Sequence, residues 1–401
     1  MRYSLNEDLQ VIDYGICMYV NNRKTKKAYK LDRNKADLLI AINNQSNEKM
    51  HIEKSQNDIL EKLQSLEIVM QNKKHRKVLI RQYNKECGLD VIQLEITKRC
   101  NFNCSHCYLG EKESYNDMDT EKIFKIVDEA SALGVQEFNI TGGEPLLHKD
   151  IKKILKYIEQ RGMATRLYTN GFLLNDEFID FLNSIHIMCV RISVDGLDEK
   201  THDEIRKVKS YRCIEINIEK LLKKGITVEI STTTMRTNLH EVPEIIKKYS
   251  GKDNLRHIVD TYLPGNVYDI LKVNEREYVE AIKSRFEPFC NKCSNAVKKH
   301  CGIADNYMFI DSKGIAKLCP TLPTEYDLGN VCQSGIKAIW MSKKIKVLDL
   351  ECEKKKDCEF AAICDGGCRS RALYNYDAIT APDYYMCELY KYLKSINYVT
   401  L

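Results

Sequence analysis

Short apolar strands alternate with amphipathic helices from about Asp90 onward, and this alternation constrains the fold of the 401-residue chain more than any other feature. The patterns predict six strands, at Ile92–Thr97, Glu137–Thr141, Thr165–Thr169, Cys189–Val194, Thr227–Thr232 and Arg256–Thr261. The intervening helices include Glu121–Leu133, Asp150–Gln160 and Ile214–Lys224. Six β-α units of this kind predict an α/β fold whose parallel sheet closes into a partial (β/α)6 TIM-like barrel. Functional side chains are then expected at the carboxyl ends of the strands.

Three cysteines follow the first predicted strand within the run Cys-Asn-Phe-Asn-Cys-Ser-His-Cys. Cys100, Cys104 and Cys107 have the spacing C-x3-C-x2-C and provide three thiolates. Three thiolates can bind three irons of a 4Fe–4S cluster and leave the fourth iron open to a substrate or cosubstrate. A structural zinc site closes with four ligands, so the triplet favours an iron–sulfur cluster over zinc.

Three later strand ends carry motifs that fit the same site, namely Thr141-Gly142-Gly143-Glu144-Pro145, Tyr168-Thr169-Asn170-Gly171 and Ser193-Val194-Asp195-Gly196. Together with the cysteine triplet, they resemble the motifs of the radical S-adenosylmethionine (SAM) enzymes. The resemblance implies that SAM binds the open iron and is cleaved reductively. The resulting 5′-deoxyadenosyl radical would abstract a hydrogen atom from the substrate, with the protein supplying orientation and exclusion of water.

The resemblance assigns SAM binding to seven residues, which are His106, Gly142, Gly143, Glu144, Ser193, Asp195 and Arg206. Glu144 would accept a hydrogen bond from the SAM ammonium, and Arg206 would meet the SAM carboxylate. Ser193 and Asp195 are candidates for the ribose, whereas His106 takes the position of an adenine-facing aromatic. The glycines permit backbone conformations closed to other residues, so that a ligand can approach closely. Ordinary turn chemistry and a surface position for Arg206 are the competing interpretations. No catalytic proton donor or acceptor is identified.

The chain contains 17 cysteines, and in a reducing compartment metal sites explain such a number better than disulfides do. The C-terminal spacings resemble the SPASM domain, which implies two auxiliary 4Fe–4S clusters and therefore three clusters in all. One auxiliary set would be Cys301, Cys319, Cys368 and either Cys293 or Cys290; the other would be Cys352, Cys358, Cys364 and Cys387. Lys355 stands where the family has a cysteine, so Cys352 is assigned in its place. Zinc ribbons are the alternative.

The first 90 residues hold 17 Lys and Arg against 12 Asp and Glu, a net charge of +5. Strands at Ile16–Val20 and Ala28–Leu31, with Asn21-Asn22 in the turn, predict a hairpin. A helix that begins after Asp32, a second helix at about Ser55–Leu66 and a strand at Ile68–Met70 complete a winged-helix-like module. The module resembles the peptide-recognition element of ribosomal-peptide maturases, in which a leader peptide adds a strand to a sheet edge. DNA binding, or a purely structural role beside the barrel, is the alternative.

These features predict a winged-helix-like peptide-recognition element at 1–85, a radical SAM barrel at 90–270 and a SPASM domain at 285–401. The expected function is to crosslink a ribosomally made precursor peptide, most simply through thioethers from cysteine sulfur to carbon. The alternatives are formylglycine formation, carbon–carbon or carbon–oxygen crosslinking, epimerisation, and a non-catalytic metal-binding or DNA-binding protein. The expected partners are the precursor, whose leader would be acidic, and a one-electron reductant such as flavodoxin or ferredoxin.

The N-terminal residues Met1 to Gln10 are polar and charged, unlike the apolar core of a signal peptide. No apolar run approaches the roughly 18 residues that a membrane-spanning helix needs. The sequence therefore predicts a cytoplasmic protein that binds neither a membrane nor nucleic acid.

Overall fold

The structure is a computed structural model, which describes residues 3–6, 8–13, 17–22, 25, 27–44, 56–71, 78, 80–82, 87–109, 117–185, 187–263, 269–286, 301–342, 350–364 and 366–398. Two cysteines proposed as alternative ligands, Cys290 and Cys293, lie outside these residues. Within the described ranges, no helix has both the length and the apolarity needed to cross a membrane.

The N-terminal elements are β1 (Tyr3–Leu5), β2 (Leu9–Asp13), β3 (Cys17–Asn22), β4 (Lys27–Asp32), α1 (Arg33–Asn44), α2 (Asn57–Ser65), β5 (Val69–Gln71) and β6 (Ile80–Gln82). Strand β1 pairs with β5, and a separate sheet has the order β4-β3-β2-β6. Leu39 and Ile42 of α1 and Leu63 of α2 pack with Val11 and Val20 into one apolar core. These elements therefore form a small unit with a core of its own.

The predicted hairpin turn at Asn21-Asn22 is wrong by two residues. Both asparagines lie in β3, where they pair with β2 on one side and β4 on the other. The side chain of Asn22 accepts a hydrogen bond from the N–H of Thr25 at 3.0 Å. Asparagine thus acts from the last strand position, since its side chain can bond to the backbone of the turn that follows. Asp32 has its predicted capping role, because its carboxylate accepts the N–H of Lys35 at 3.1 Å.

The central and C-terminal elements follow in chain order: β7 (Val91–Glu95), α3 (Thr120–Ala132), β8 (Glu137–Thr141), α4 (Ile151–Gln160), β9 (Ala164–Thr169), α5 (Asp176–Ser184), β10 (Cys189–Ser193), α6 (Glu199–Arg206), α7 (Tyr211–Lys223), β11 (Val228–Thr234), α8 (Val242–Tyr249), β12 (Leu255–Thr261), α9 (Glu275–Ile282), β13 (Tyr307–Ile310), β14 (Ile315–Lys317), β15 (Asp327–Asn330), α10 (Val331–Ser334), α11 (Ile336–Trp340), α12 (Ala361–Cys364), α13 (Arg369–Tyr376) and α14 (Tyr384–Ser395).

The central sheet is mostly parallel, which confirms the predicted α/β fold. Its nine strands have the order β12-β11-β10-β9-β8-β7-β13-β14-β15. Strands β7 to β12 are the six predicted ones, and β13 continues the parallel arrangement beside β7. Strands β14 and β15 are antiparallel to their neighbours. The segment predicted as the SPASM domain thus extends the sheet of the barrel instead of packing as a separate layer.

The two faces of the sheet differ in chemistry. On one face, Ile92, Ile140, Leu167, Ile192 and Ile230 are fully buried in the core that also includes the apolar residues of helices α3, α4, α5 and α7. The opposite face carries the alternate residues, since successive side chains of a strand point to opposite sides. These alternate residues are polar in most strands, and they include Gln93, Asn139, Arg166, Tyr168, Arg191 and Glu229. The helices therefore cover one face and leave the other for polar chemistry.

Candidate active site at the carboxyl ends of the strands

The loop with the cysteine triplet leaves the carboxyl end of β7 and contacts helix α6. All three cysteines are partly buried. The N–H of Cys107 donates to the carbonyl of Cys104 at 3.3 Å, and the N–H of Ser105 donates to the carbonyl of Ile205 at 3.0 Å. The N–H of Phe102 points at the sulfur of Cys100 at 3.4 Å. The loop is therefore a tight turn, and its backbone is attached to the end of α6.

Gly142 and Gly143 are needed for space, which corrects the expected reason for their presence. Neither has a positive φ. A Cβ on Gly142 would lie 2.5 Å from the carbonyl oxygen of Thr97, and one on Gly143 would lie 2.4 Å from that of Arg99. The N–H of Gly143 donates to Thr97 at 2.8 Å, and the next N–H donates to Arg99 at 2.7 Å. The glycines thus let the backbone after β8 bind the backbone of the cysteine loop.

Glu144 is fully buried and braces two strand ends. Its Oε1 accepts hydrogen bonds from the N–H of Leu146 at 3.0 Å and the hydroxyl of Thr169 at 2.8 Å. Its Oε2 accepts the N–H of Asn170 at 2.8 Å. Burial raises the pKa of Glu144 to about 7, although these hydrogen bonds oppose the shift. Since a carboxylate has about four acceptor sites, one site on Oε2 is left for a further donor.

Asp195 and Arg206 form a buried ion pair beside the cysteine loop, with 2.5 Å between Nη2 and Oδ2. Arg206 is 8% exposed, which excludes the surface position considered from the sequence. Its Nη1 lies 3.6 Å from the sulfur of Cys104. Burial alone would raise the pKa of Asp195, but the positive charge of Arg206 and the neighbouring His106 hold it below its usual range. The pair therefore stays ionised against a predicted cluster ligand.

Two histidines complete this group. His106 Nε2 lies 3.4 Å from the Asp195 carboxylate, and His202 Nδ1 accepts the N–H of Asp195 at 3.3 Å. Burial lowers the pKa of both His106 and His202 to about 4, so both rings are neutral near pH 7. The sequence interpretation missed His202, although its position four residues before Arg206 on a helix places both on one face.

Buried polar atoms without a partner mark this place as a ligand site. They are Nδ1 of His106, Nε2 of His202 and Nε of Arg206. All three side chains contact Asp195, and nearly all buried polar groups in proteins form hydrogen bonds. SAM offers an ammonium, a carboxylate, ribose hydroxyls and a ring with acceptor nitrogens, so the group fits these residues. Ser193, the last residue of β10, is partly buried and pairs with Ser231 of β11 at the same edge.

The polar face of the sheet extends from this site along the strands. Its floor is a chain of ion pairs across four strands, in which Arg166 contacts Glu137 at 2.5 Å and Glu229 at 3.7 Å, and Arg191 also contacts Glu229. The guanidinium of Arg191 stacks 4.3 Å from the ring centre of Tyr168. The sequence interpretation missed these residues. The signal was available, because strands of a parallel sheet with both faces covered would be apolar throughout, whereas these alternate.

The C-terminal cysteines fall into two groups by their mutual electrostatic influence. Burial raises the pKa of Cys319 to about 11, and the sulfurs of Cys368 and Cys301 act in the same direction. Burial likewise raises the pKa of Cys387 to about 11, and the sulfurs of Cys352 and Cys358 add to this.

Cys364 belongs with the second group, since its raised pKa reflects burial and the sulfurs of Cys387 and Cys358. Lys355, which stands in the family's cysteine position, forms an ion pair with Glu351 at 2.6 Å and is 41% exposed. Its side chain is therefore held by a carboxylate and is partly exposed to solvent. Among the described residues, no three cysteine, histidine or carboxylate side chains converge on the position of a single metal ion.

Tyr307 lies between the first cysteine group and the polar face. Its hydroxyl donates to Gln93 of β7 at 3.0 Å. Burial raises the pKa of Tyr307, and the sulfurs of Cys319 and Cys301 and the hydroxyl of Tyr168 contribute to the shift. Tyr307 thus joins β13 to the polar residue Gln93 of β7, and its hydroxyl is subject to the charge of the Cys319 and Cys301 sulfurs.

Comparison with known proteins agrees with this arrangement. A model of the radical SAM superfamily matches residues 94–249, and a model of SPASM, an iron–sulfur cluster-binding domain, matches residues 301–369. The antilisterial bacteriocin subtilosin biosynthesis protein AlbA of Bacillus subtilis (strain 168) is 25% identical over 392 residues, which cover 91% of this chain and 85% of AlbA. An AdoMet-dependent heme synthase of Methanosarcina barkeri (strain Fusaro / DSM 804) is also 25% identical, over 70% of this chain and 91% of that enzyme.

Among solved structures, SuiB of Streptococcus suis bound to its precursor peptide SuiA has the same fold, with a TM-score of 0.65 over 95% of this chain and 98% of SuiB at 18% identity. SuiB has also been solved bound to S-adenosylmethionine. The two matched domains are of types that bind iron–sulfur clusters, and they follow one another as the sequence predicts. The chain is therefore a member of the radical SAM superfamily, an enzyme with a C-terminal SPASM domain.

Proposed function

We propose that this enzyme modifies a ribosomally made precursor peptide. The observation that carries the proposal is the extent of the likeness, which includes the N-terminal unit and not only the two metal-binding domains. AlbA, a bacteriocin biosynthesis protein, aligns with 91% of the chain, and SuiB, solved with its precursor peptide, superposes on 95%. The heme synthase aligns with only 70%. A peptide substrate gives the additional N-terminal unit a role, whereas a tetrapyrrole does not.

The first site is assigned to the triplet loop. Cys100, Cys104 and Cys107 would hold a 4Fe–4S cluster, and the partnerless atoms of His106 and Arg206 would bind SAM. When bound, cluster and SAM supply a 5′-deoxyadenosyl radical that takes hydrogen from the substrate. The buried Arg206 guanidinium lowers the cost of negative charge on Cys104, because opposite charges attract strongly where water is excluded.

Glu144 and Ser193 extend the SAM site along the strand ends. The free acceptor site on Oε2 of Glu144 can take a donor of the SAM ammonium, and this keeps the carboxylate ionised. Gly142 and Gly143 act indirectly, through the position of the cysteine loop.

The two groups of C-terminal cysteines are assigned to two auxiliary 4Fe–4S clusters, which makes three clusters in the protein. The first takes Cys301, Cys319 and Cys368, with Cys293 or Cys290 as fourth ligand. The second takes Cys352, Cys358, Cys364 and Cys387. The polar face between the triplet and Cys319 then holds the reacting part of the peptide, and an external one-electron carrier of the flavodoxin or ferredoxin type reduces the clusters.

The N-terminal unit is assigned to the leader of the precursor. Strand β4 is an edge of the N-terminal sheet as far as the structure describes it, and an edge strand presents unpaired backbone groups to an added strand. Beside this edge, the ammonium of Lys30 lies 5.9 Å from the ring centre of the exposed Tyr19. Lys30 and the excess of basic residues in this region favour a leader with acidic side chains. The assignment divides the chain into a leader-binding unit at 1–85, a catalytic barrel at 90–270 and an auxiliary-cluster domain at 285–401.

The bond we propose is a thioether from a cysteine sulfur to a carbon of the same peptide. Formylglycine formation, carbon–carbon crosslinking and epimerisation begin with the same hydrogen abstraction, and the product's mass together with its thiol content distinguishes the thioether from them. Thioether formation and carbon–carbon crosslinking each lower the mass of the peptide by two hydrogens, but only the thioether consumes a thiol. Epimerisation leaves the mass unchanged.

The test begins with iron and sulfide content of the anaerobically purified protein. We expect about twelve irons, falling to about eight when Cys100, Cys104 and Cys107 are changed to alanine and also when Cys352→Ala removes one auxiliary ligand. Cys332→Ala is the matched control, because Cys332 is exposed and belongs to neither group. Zinc in place of iron would overturn the proposal at this stage.

The second stage uses a precursor peptide that contains cysteine, with and without its leader. We expect a product two hydrogens lighter, with a thiol consumed, only when the leader is present. Lys30→Glu should weaken leader binding, and its effect should diminish at high salt because the screened interaction is electrostatic. If the protein without residues 1–85 turns over substrate as fast as the full chain does, a substrate without a leader would be favoured.

A further inference from the structure

A buried ion pair in the SPASM domain contacts both groups of auxiliary cysteines and the end of the barrel. Arg371 of α13 binds Asp383 with two parallel hydrogen bonds, from Nε to Oδ1 at 2.8 Å and from Nη2 to Oδ2 at 2.6 Å. Asp383 is 1% exposed and Arg371 is 7% exposed. Removing one partner of such a pair leaves an uncompensated buried charge, which is strongly destabilising.

The pair contacts the first cysteine group directly. The backbone N–H of Cys368 donates to Oδ2 of Asp383 at 2.8 Å. The backbone N–H of Arg371 points at the sulfur of Cys368 at 3.4 Å. The adjacent Gly367 has a φ of +75°, and a Cβ on it would lie 2.6 Å from Oδ2 of Asp383. The turn before Cys368 is therefore shaped around this carboxylate.

The pair also reaches the second cysteine group and the barrel. The N–H of Cys387 donates to the backbone carbonyl of Asp383 at 3.0 Å, in the first turn of α14. The buried Asp383 carboxylate therefore lies one helical turn from Cys387. On the other side, Nη1 of Arg371 donates to the hydroxyl of Thr261 at the carboxyl end of β12, at 3.0 Å.

We infer that the Arg371–Asp383 pair is a positioning element that joins both auxiliary clusters to the last barrel strand and sets the charge that both clusters experience. The inference rests on the proposed function, because it requires the two auxiliary clusters. Neither residue is a ligand. Replacing a group that contacts a metal ligand without binding the metal typically lowers metal affinity or activity by roughly 10- to 100-fold.

The sign of the effect on reduction follows from the charges. Reduction adds an electron to a cluster, so a nearby negative charge makes it less favourable. Arg371→Gln leaves the buried Asp383 carboxylate unpaired and should lower the midpoint potentials of the auxiliary clusters. Asp383→Asn leaves the Arg371 cation unpaired and should raise them. The double variant Arg371→Gln/Asp383→Asn is neutral and should return the potentials towards the wild-type values.

The experiment is a dithionite titration of each reconstituted protein without peptide, followed by EPR of the reduced clusters. The cluster assigned to Cys100, Cys104 and Cys107 provides an internal reference. Arg236→Gln is the matched control, because Arg236 forms an equally bidentate pair with Glu277, at 2.6 and 2.9 Å, but is about half exposed. We expect opposite shifts in the two single variants, recovery in the double variant and no shift in the control.

Shifts of the same sign, no shift, or a double variant no closer to wild type would overturn the inference. If a single variant loses its auxiliary iron, the iron content of the double variant decides the question. Recovery of auxiliary iron in the double variant would support the role of charge balance, and continued loss would contradict it. A wild-type protein with no auxiliary iron would instead overturn the proposed function itself, and this inference with it. The two failures are thus distinguished before any variant is compared.

Discussion

The triplet site and the auxiliary region bring cysteines together by different means. The triplet lies within eight residues, and its loop is held by backbone hydrogen bonds from the residues that directly follow β8. The auxiliary cysteines come from positions as far apart as Cys301 and Cys387, and buried side chains such as Arg371 and Asp383 join their segments. The backbone of the triplet loop is therefore held through close approach that two glycines permit, whereas the auxiliary segments are joined mainly through buried charged side chains.

The largest effect is expected from Gly143→Ala. The added Cβ would lie 2.4 Å from one carbonyl oxygen of the cysteine loop and 2.7 Å from another, so the loop must move. Displacement of about 1 Å at a reacting centre can cost roughly 100-fold in rate. We expect loss of about four irons and at least a 100-fold fall in SAM cleavage, with the auxiliary iron retained.

Gly251→Ala is the control for this prediction, because Gly251 also lacks a side chain but has nothing within 4 Å of the position that a Cβ would take. Its φ of +70° makes the change cost about 1–2 kcal/mol of stability. Normal iron content and SAM cleavage in Gly143→Ala would show that the loop does not depend on this backbone contact.

The next effect is expected from the ion pair beside the triplet. Arg206→Gln leaves the buried Asp195 carboxylate without its cation and should lower the free energy of unfolding of the metal-free protein by about 3–5 kcal/mol. Arg212→Gln breaks an exposed pair with Glu199 and should cost less than about 1 kcal/mol. Urea unfolding measures both, and equal losses would contradict the buried role of Arg206.

Glu144 should make stability fall as pH rises. Its pKa is about 7 in the folded chain, above its ordinary value of 4.5, so the folded state binds the proton more tightly than the unfolded state does. This contribution is fully present below about pH 4.5 and is lost as pH rises through 7, a change of roughly 3 kcal/mol.

Unfolding of the metal-free protein at pH 5 and pH 8 tests this, with Glu144→Gln as the comparison that cannot titrate. The free energy of unfolding changes from pH 5 to pH 8 in both proteins, and the difference between the two changes isolates the contribution of this carboxyl. Equal changes in the free energy of unfolding for the two proteins would mean that Glu144 is already ionised at pH 5.

The smallest effect is expected at a single hydroxyl in the auxiliary region. Thr321 lies 3.2 Å from the sulfur of Cys319 and 2.8 Å from the hydroxyl of Ser370. Thr321→Val keeps the shape but removes these hydrogen bonds, and we expect a loss of about 1 kcal/mol with unchanged iron content. Loss of auxiliary iron would indicate that single hydrogen bonds, and not only the Arg371–Asp383 pair, hold the cysteines in place.

The positions of the six central strands along the chain and of the triplet were predictable because both depend on local patterns. A strand and a helix each have their own period of apolar residues, and the triplet directly follows a strand whose carboxyl end must lie at the functional edge. The extension of the sheet by β13 was not predictable in this way. Tyr307 pairs with Val91, more than 200 positions away, and no local period specifies such a partner.

The sequence by itself determined the fold class and placed the cysteine triplet after the first strand of the central sheet, because residue type and spacing carry that information. Only the tertiary structure decided how those residues are supported. It placed Arg206 and His202 on Asp195, showed that Gly142 and Gly143 provide space and not unusual φ angles, and put Arg371 between Cys368 and Thr261. Such contacts join segments that are distant in the chain, and their energies depend on burial, which a sequence pattern does not specify.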